Sequence, residues 1–232
     1  MTTIYLVRHG QASFGATSYD KLSAIGEQQA TVLGQYFQKI LKEQPYVVAG
    51  GMQRHRQTAD FALAECFPEA TPHINIGWNE FNHQQVFAKY DARFNEPHLL
   101  KQDVAKESSP RAYLAKIFEG AISRWTDGEY HHEYDESWPH FKARVEDTLQ
   151  NLCDELAQTK PRYAVVFTSG GVVSVAVGKL LGLSPEKTFA LNWAIANASL
   201  TTLRLVRNEP QLLSLNEHHY LKAEDSKLLT WI

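Results

Sequence analysis

The 232-residue sequence contains only two cysteines, Cys66 and Cys153. Two cysteines are too few for the disulfide framework that stabilises small secreted domains. Both lie in apolar stretches with helical spacing, so we expect buried free thiols. The fold must therefore depend on a hydrophobic core, for which this length and a hydrophobic content of 44% are sufficient.

The sequence also lacks a run of basic residues and a long apolar run. The formal net charge is −3 and the pI is about 6.4, which does not fit a nucleic-acid-binding surface. No uncharged apolar stretch approaches the roughly 20 residues that a membrane-spanning helix needs. The first residues do not have the pattern of a signal peptide. We therefore expect a cytoplasmic protein that binds neither nucleic acid nor membrane.

A metal-binding pattern is missing as well, although the chain has ten histidines. No two of them have the spacing His-x-x-x-His that places both rings on one face of a helix. His131 and His132 are adjacent, as are His218 and His219, so neither pair shares one face of a helix or strand. We expect no metal ion and no other cofactor.

Strand and helix patterns alternate along much of the chain, which is typical of a layered α/β fold. Short apolar runs predict strands at 4–7, 46–49, 73–76, 163–167, 200–206 and 211–215. Apolar residues at helical spacing predict helices at 22–43, 54–66, 114–125, 138–156 and 171–181. The last two strands are expected to form a hairpin around Asn208-Glu209-Pro210.

Residues 82–135 interrupt this alternation. They contain one clearly amphipathic helix, and the rest is polar, with Pro97, Pro110 and several acidic side chains. We interpret them as an insertion into a single domain that spans residues 1–232. Two interpretations stay open: a cap over a binding site, or a surface excursion without a role in binding.

Polar residues with catalytic potential follow four of the predicted strands. They are Arg8-His9-Gly10, Arg54, Glu80 and Ser169-Gly170-Gly171. In open α/β sheets, ligands bind beyond the carboxyl ends of the strands, so we expect these residues to converge on one site. The strand–turn–helix pattern around Ser169 also predicts an anion site, because backbone amides point outward at the start of a helix.

The tripeptide Arg8-His9-Gly10 has side chains that suit phosphate chemistry. An arginine binds two phosphate oxygens with parallel hydrogen bonds. A neutral histidine attacks phosphorus through one ring nitrogen when a carbonyl holds the N–H of the other. Gly10 is expected to let the backbone approach a ligand closely. On the tripeptide alone, a surface arginine and histidine at a strand end explain the pattern equally well.

Several separated motifs resemble the histidine phosphatase superfamily, the phosphoglycerate-mutase-like proteins. They are LVRHGQAS at 6–13, DKLSAIGEQQA at 20–30, GGMQRHRQTA at 50–59, ESWPHFKARV at 136–145 and NASLTTL at 197–203. The resemblance covers most of residues 1–80 and 136–221. It implies a phosphoglycerate-mutase-like fold, which is a three-layer α/β/α sandwich with a mostly parallel sheet.

The resemblance also implies a role for each matching residue. His9 would accept the phosphoryl group as a phosphohistidine, and Arg8 would bind the phosphoryl oxygens. Arg54 would be the second phosphate-binding arginine, since it stands four residues before Thr58. Arg56 is the alternative candidate for this role. On a helix the two arginine side chains point about 200° apart, so we expect only one of them to face the phosphate.

Glu80 stands where phosphatases of this family often have a proton donor. The segment around Glu80 matches the family only loosely, and the alternative is a surface carboxylate.

Ser169 marks a departure from the family, which usually has His-Gly after this strand. That second histidine donates a hydrogen bond to the phosphoryl oxygens. Ser169 does not fit a serine nucleophile, because the Gly-x-Ser-x-Gly elbow needs a glycine where Phe167 stands. We expect Ser169 and Gly170 to bind the phosphoryl group, and Ser169→His to raise turnover by restoring a cationic donor.

Three interpretations of this departure stay open. The enzyme works slowly with Ser169 and the amides of Gly170 and Gly171, another histidine reaches the gap, or the pocket binds phosphate without turning it over. The candidate histidines are His55, where the family commonly has alanine, His83, His218 and His219.

The sequence therefore predicts a phosphate monoester hydrolase that works through a phosphohistidine on His9. The alternatives are a phosphomutase of the same fold and a phosphate-binding pseudoenzyme or interaction module. A small phosphorylated substrate is expected.

Overall fold

A computed structural model of the protein describes residues 1–13 and 20–231, apart from the side chains of residues 97, 100, 101 and 111. Its strands are β1 (Thr2–Arg8), β2 (Tyr46–Ala49), β3 (His73–Ile74), β4 (Tyr163–Thr168), β5 (Leu200–Val206) and β6 (Glu209–Glu217). Its α-helices are α1 (Ala24–Ile40), α2 (Gln53–Cys66), α3 (His83–Tyr90), α4 (Pro97–Val104), α5 (Pro110–Thr126), α6 (Trp138–Thr159), α7 (Gly170–Leu181), α8 (Pro185–Ala194) and α9 (His219–Glu224). Short 3-10 turns lie at Ile76–Trp78, Ala92–Asn95, His131–Glu133 and Ser226–Leu228.

The described strands form one sheet in the order β3-β2-β4-β1-β5-β6. Strands β3, β2, β4 and β1 run parallel to one another, while β5 pairs antiparallel with β1 and β6 antiparallel with β5. The sheet is therefore mostly parallel, as predicted. Its parallel strands β1, β2 and β4 are neighbours, so their carboxyl ends meet at one edge.

Strand β4 is buried along its whole length, as expected for a central strand that is covered on both faces. Val165 and Phe167 belong to a core that includes Leu33 of α1 and Ala59 of α2. The alternate residue Val166 is equally buried on the opposite face of the sheet. Helices flank the sheet on both sides, so the predicted three-layer sandwich is confirmed.

The chain divides into two compact units, Met1–Glu80 with Val145–Ile232, and Phe81–Arg144. The second unit has an aromatic core of its own, in which the rings of Phe81 and Trp125 stack with centroids 4.6 Å apart. The predicted insertion at 82–135 lies within this unit. Its role as a cap stays a prediction.

Residues 82–135 contain more helix than the sequence pattern indicated, because α3 and α4 form there in addition to the predicted helix. The side chain of Asn82 caps α3 by accepting a hydrogen bond from the Gln85 amide at 3.1 Å. A helix of two turns has too few residues for a clear apolar period, so the cap is its main sequence signal. Among the described residues, no helix combines the length and the apolarity that a bilayer span requires.

The hairpin between β5 and β6 turns at Arg207-Asn208, one residue earlier than predicted. Val206 pairs with Glu209, and the two turn residues have φ angles of 50° and 68°. This positive-φ pair is the two-residue turn whose twist matches that of the flanking strands. Pro210 belongs to β6, an edge strand, where the missing N–H of proline leaves no ladder bond broken.

Candidate active site

Apart from Glu80, the predicted site residues lie at or beyond the carboxyl ends of β1, β2 and β4. Because β4 lies between β1 and β2, backbone hydrogen bonds tie the three strand ends together. The His9 amide donates to the Thr168 carbonyl at 2.8 Å, and the Gly50 amide donates to the Phe167 carbonyl at 3.0 Å. Residues far apart in sequence are thereby placed around His9.

His9 is held with one ring nitrogen ready to act as a base or nucleophile. Its Nδ1 lies 2.7 Å from the Gly10 carbonyl oxygen, and Arg54 Nε lies 3.1 Å from its Nε2. An arginine N–H only donates, so Nε2 must be the acceptor and Nδ1 must carry the proton. The ring is therefore fixed in the tautomer that presents a lone pair on Nε2.

The surroundings of His9 keep it neutral. Burial is the largest cause that holds its pKa well below the ordinary value of 6.5, and the charges of Arg54 and Arg8 act in the same direction. The hydrogen bond to Gly10 opposes these effects only in part. A neutral imidazole is the form that can attack an electrophile.

The backbone around His9 is fixed by residues that the sequence analysis missed. The His9 carbonyl accepts hydrogen bonds from the Ala198 amide at 3.2 Å and from Asn197 Nδ2 at 3.3 Å. Gly10 packs against α1, since a Cβ added to it would lie 2.5 Å from the Gly26 carbonyl oxygen. The structure thus explains Gly10 by this helix contact, whereas the sequence suggested the approach of a ligand.

Thr58 connects the two motifs that carry His9 and Arg54. Its hydroxyl accepts a hydrogen bond from the Gly10 amide at 3.1 Å and donates one to the Arg54 carbonyl at 2.7 Å. The threonine four residues after Arg54 therefore has a positioning role, and this contact explains the spacing that singled out Arg54.

Arg54 is buried in the first turn of α2 and is oriented by a carboxylate. Its Nη1 lies 2.8 Å from Asp20 Oδ1, and the other oxygen of Asp20 accepts the Gln53 amide at 2.7 Å. Only 3% of Arg54 is exposed, whereas Arg56 is exposed on another side of the helix. The structure therefore brings Arg54 to His9 and leaves Arg56 at the surface.

Arg8 extends from the end of β1 towards the start of α7. Its Nη1 donates to the Ile195 carbonyl. A Cβ added to Gly170 would lie 3.5 Å from Arg8 Nε, so this guanidinium packs closely beside Gly170. The arginine, the first turn of α7 and His9 consequently form one positively polarised region.

Glu80 closes this region from the loop after β3. Its Oε2 accepts the Gly171 amide at 2.9 Å, and a Cβ on Gly171 would collide with its Oε1. The preceding residues are anchored to the same strand ends, because Thr168 Oγ1 donates to the Trp78 carbonyl at 2.6 Å and Asn79 Oδ1 accepts the Gly51 amide at 2.6 Å. The predicted proton donor is thus placed against the first turn of α7.

Ser169 contacts His55, one of the histidines proposed as a substitute. The His55 Nε2 atom and the Ser169 Oγ atom are 2.5 Å apart, and both side chains are fully buried. The rings of His55 and His9 lie 5.7 Å apart between centroids. Burial and then the charge of Arg54 hold the pKa of His55 well below its ordinary value.

The other histidine candidates have different contacts. His83 belongs to the second unit and lies edge-on to the Phe87 ring. His218 bonds the Asn216 carbonyl through Nδ1 and stacks on His219. Of the four histidines considered, the structure therefore brings His55 to Ser169.

The solved structures with the same architecture include two that are named as phosphatases and one that is named as a mutase. The phosphoglycerate mutase of Bacillus anthracis str. Sterne is 16% identical and superposes with a TM-score of 0.64 over 94% of both chains. A putative alpha-ribazole-5'-P phosphatase from Escherichia coli str. K-12 is 17% identical, with a TM-score of 0.61 over 94% of this chain and 98% of that one. The phosphoserine phosphatase of Entamoeba histolytica, solved with 3-phosphoglyceric acid, is 17% identical, with a TM-score of 0.60 over 95% and 99% of the two chains. At these identities the likeness establishes the fold: a phosphoglycerate-mutase-like α/β sandwich.

The sequence itself identifies the family. The model of the histidine phosphatase superfamily, branch 1, matches residues 4–111 and 89–218. No curated protein shows significant sequence similarity to the chain. The chain belongs to the histidine phosphatase superfamily.

The two buried neutral histidines predict how stability depends on pH. Unfolded, His9 and His55 take up protons below their ordinary pKa near 6.5, while the folded protein resists protonation. The free energy of unfolding therefore has its full value above about pH 6.5. It falls as the pH is lowered, by up to ~1.4 kcal/mol per pH unit for each histidine. Urea unfolding between about pH 7.5 and about 5.5 measures this slope.

His55→Gln is the matched variant for this measurement, since glutamine does not titrate. The slope gives the number of protons that the protein takes up on unfolding, and this number should be lower in the variant by close to one. The carboxylates contribute equally to both proteins. An identical slope in the two proteins would contradict a neutral His55.

Proposed function

We propose that the protein is a phosphate monoester hydrolase that forms a phosphohistidine on His9. The observation that carries this proposal is the state of the His9 ring. Its Nδ1 proton is held by the Gly10 carbonyl, and its Nε2 lone pair faces Arg54, a group that binds phosphoryl oxygens. A neutral nucleophile beside a cation suits attack on a phosphate ester.

Binding of the phosphoryl group uses groups that already lie around His9. Arg54 and Arg8 would bind the non-bridging oxygens, together with the amides at the start of α7 near Gly170. In the free protein Arg54 Nε donates to His9 Nε2. When a substrate enters, this N–H transfers its hydrogen bond to a phosphoryl oxygen and frees the lone pair for attack.

The first chemical step forms the Nε2–phosphorus bond and breaks the bond between phosphorus and the ester oxygen. Glu80, in its protonated form, gives its proton to the departing oxygen, so the alcohol leaves neutral. In the second step a water molecule attacks phosphorus and gives a proton to the Glu80 carboxylate. The Nε2–phosphorus bond breaks, inorganic phosphate leaves, and both groups return to their initial states.

The substrate is a small phosphorylated compound in this proposal. The solved relatives support this class, since one is named as a phosphoserine phosphatase and another as a putative alpha-ribazole-5'-P phosphatase. The steps need only side chains of this chain and water. In a phosphomutase, by contrast, a second hydroxyl compound takes the phosphoryl group in place of water.

Trapping the phosphoenzyme tests the proposal. The protein is mixed with a radiolabelled phosphate ester and quenched in alkali. We expect label on the protein that is stable in alkali and lost in acid, as for a phosphohistidine, and mass spectrometry should locate it at His9. Release of label as inorganic phosphate indicates a hydrolase, whereas transfer to an added hydroxyl compound indicates a mutase. Binding of inorganic phosphate without protein labelling or turnover would contradict the proposal and support a binding module.

A further inference from the structure

The side chains of His55 and Ser169 form a buried pair beside His9 that the steps above do not use. Their Nε2 and Oγ atoms are 2.5 Å apart, although 114 positions separate the two residues in sequence. Position 169 is where the superfamily motif usually has histidine, and position 55 is where it commonly has alanine. The chain therefore departs from the motif at two positions that touch each other.

The surroundings of His55 decide which of its nitrogens carries the proton. Its Nδ1 is buried and has no hydrogen-bond partner. It faces Gly50, where an added Cβ would collide with it. A proton on Nδ1 would leave a buried donor unsatisfied, which is less tolerated than an unsatisfied acceptor. The proton therefore lies on Nε2, and His55 donates to Ser169 Oγ.

This assignment determines what the Ser169 hydroxyl can do. Its oxygen accepts from His55, so its own hydrogen must point elsewhere. Ser169 is the N-cap residue of α7, yet its side chain makes no capping hydrogen bond. Within the described part of the chain, the hydroxyl makes no hydrogen bond apart from that with His55. One oriented O–H donor thus remains for a ligand.

The residues on either side of Ser169 contact groups that were assigned to phosphoryl binding. The residue before it accepts the His9 amide, and the residue after it packs beside Arg8. The His55 ring in turn lies 5.7 Å from the His9 ring. A phosphoryl group bound to His9 Nε2 is therefore the candidate acceptor for this donor.

We infer that His55 and Ser169 together replace the usual second histidine: Ser169 donates its hydroxyl proton to a phosphoryl oxygen, and His55 holds the hydroxyl in the required orientation. The inference rests on the proposed function and adds a donor and a positioning residue to it. In the transition state the phosphoryl charge is spread over three equatorial oxygens in a nearly planar arrangement, and a donor fixed for that geometry stabilises it more than the ground state.

Kinetics of matched variants test this pair. Ser169→Ala removes the donor and should lower kcat about 100-fold, with KM changed by less than about threefold. His55→Phe fills the space without a hydrogen bond and should lower kcat to a similar degree, and the double variant should lose little more. His55→Gln, which keeps an N–H donor, should recover most of the activity. Ser174→Ala is the control, because its hydroxyl bonds the Gly170 carbonyl inside α7.

Two further measurements do not depend on turnover. NMR of the imidazole nitrogens should show the proton of His55 on Nε2 and that of His9 on Nδ1, with the His55 signal assigned through His55→Gln. Vanadate, which mimics the five-coordinate transition state, should bind Ser169→Ala about 100-fold more weakly, and inorganic phosphate only a few-fold more weakly.

Failure of this inference differs from failure of the proposed function. Full activity in Ser169→Ala, together with a labelled His9, would overturn the pair and leave the hydrolase intact. A proton on His55 Nδ1 would also overturn it. Absence of a phosphoenzyme in the unmodified protein would instead remove the proposed function and the inference together.

Discussion

Replacing His9 with alanine is expected to lower kcat/KM by about 10⁴-fold or more, because no other group supplies the nucleophile for the covalent step. Arg54 still binds Asp20 in this variant, so a phosphate site of reduced affinity should persist. The fold should also persist for two reasons. The His9 side chain is neutral in the folded protein, so its removal leaves no buried charge without a partner. The hydrogen bond between the strand ends comes from the backbone amide of residue 9, which the variant keeps. Steady-state rates with a generic phosphate ester and binding of inorganic phosphate measure the two effects.

Two comparison variants make the His9 result specific. His9→Gln keeps the size and polarity of the site without an equivalent nucleophile, so it should be as inactive as His9→Ala. His73→Ala removes an exposed histidine that stacks on Tyr46, and it should retain full activity. If His9→Gln kept more than a few per cent of the activity, another residue would have to carry the covalent step.

The convergence of the site was predictable because the topology of a parallel sheet follows from local patterns. Three short apolar runs predicted β1, β2 and β4, and each is followed by a polar residue. Once these strands are parallel neighbours, their carboxyl ends must lie together, so Arg8, His9 and Arg54 meet. No knowledge of side-chain packing is needed for that step.

The residues that position the site were not predictable in the same way. Asp20 orients Arg54, and Thr58 connects Gly10 to Arg54. The spacing between Arg54 and Thr58 singled out Arg54 in the sequence, but it did not indicate that Thr58 also contacts Gly10, and no spacing rule connects Asp20 to Arg54. These contacts depend on how α1 and α2 pack on the sheet. In the sequence, Asp20 and Thr58 stand out only because they lie in motifs that resemble the family, and the roles in those motifs were assigned to other residues.

The Ser169 and His55 pair marks the limit of sequence reasoning most clearly. The sequence showed that a histidine is missing at 169 and that an unusual one is present at 55. It did not show that the two side chains touch, since that contact depends on the distance between the end of β4 and the first turn of α2. His55 and His83 were equal candidates in the sequence, and the structure shows the contact of His55 with Ser169.

The contact reverses one expectation, the effect of Ser169→His. From the sequence alone, we expected this substitution to restore a donor in an unoccupied position and to raise turnover. In the structure the slot is fully buried, and His55 Nε2 lies 2.5 Å from the Ser169 oxygen. An imidazole at 169 would overlap His55, so we now expect a free energy of unfolding lower by about 1–3 kcal/mol.

The single Ser169→His variant should also lower kcat by about 10²–10³-fold, since it displaces His55 and removes the oriented hydroxyl. Combining Ser169→His with His55→Ala should reverse both losses, because the alanine vacates the volume that the new ring needs. The double variant then has the arrangement usual in the superfamily, and its kcat should equal or exceed that of the unmodified protein. Urea unfolding and steady-state rates of both single variants and the pair measure this coupling. A stable and faster Ser169→His single variant would show that His55 does not occupy the space, and would contradict the contact on which the argument depends.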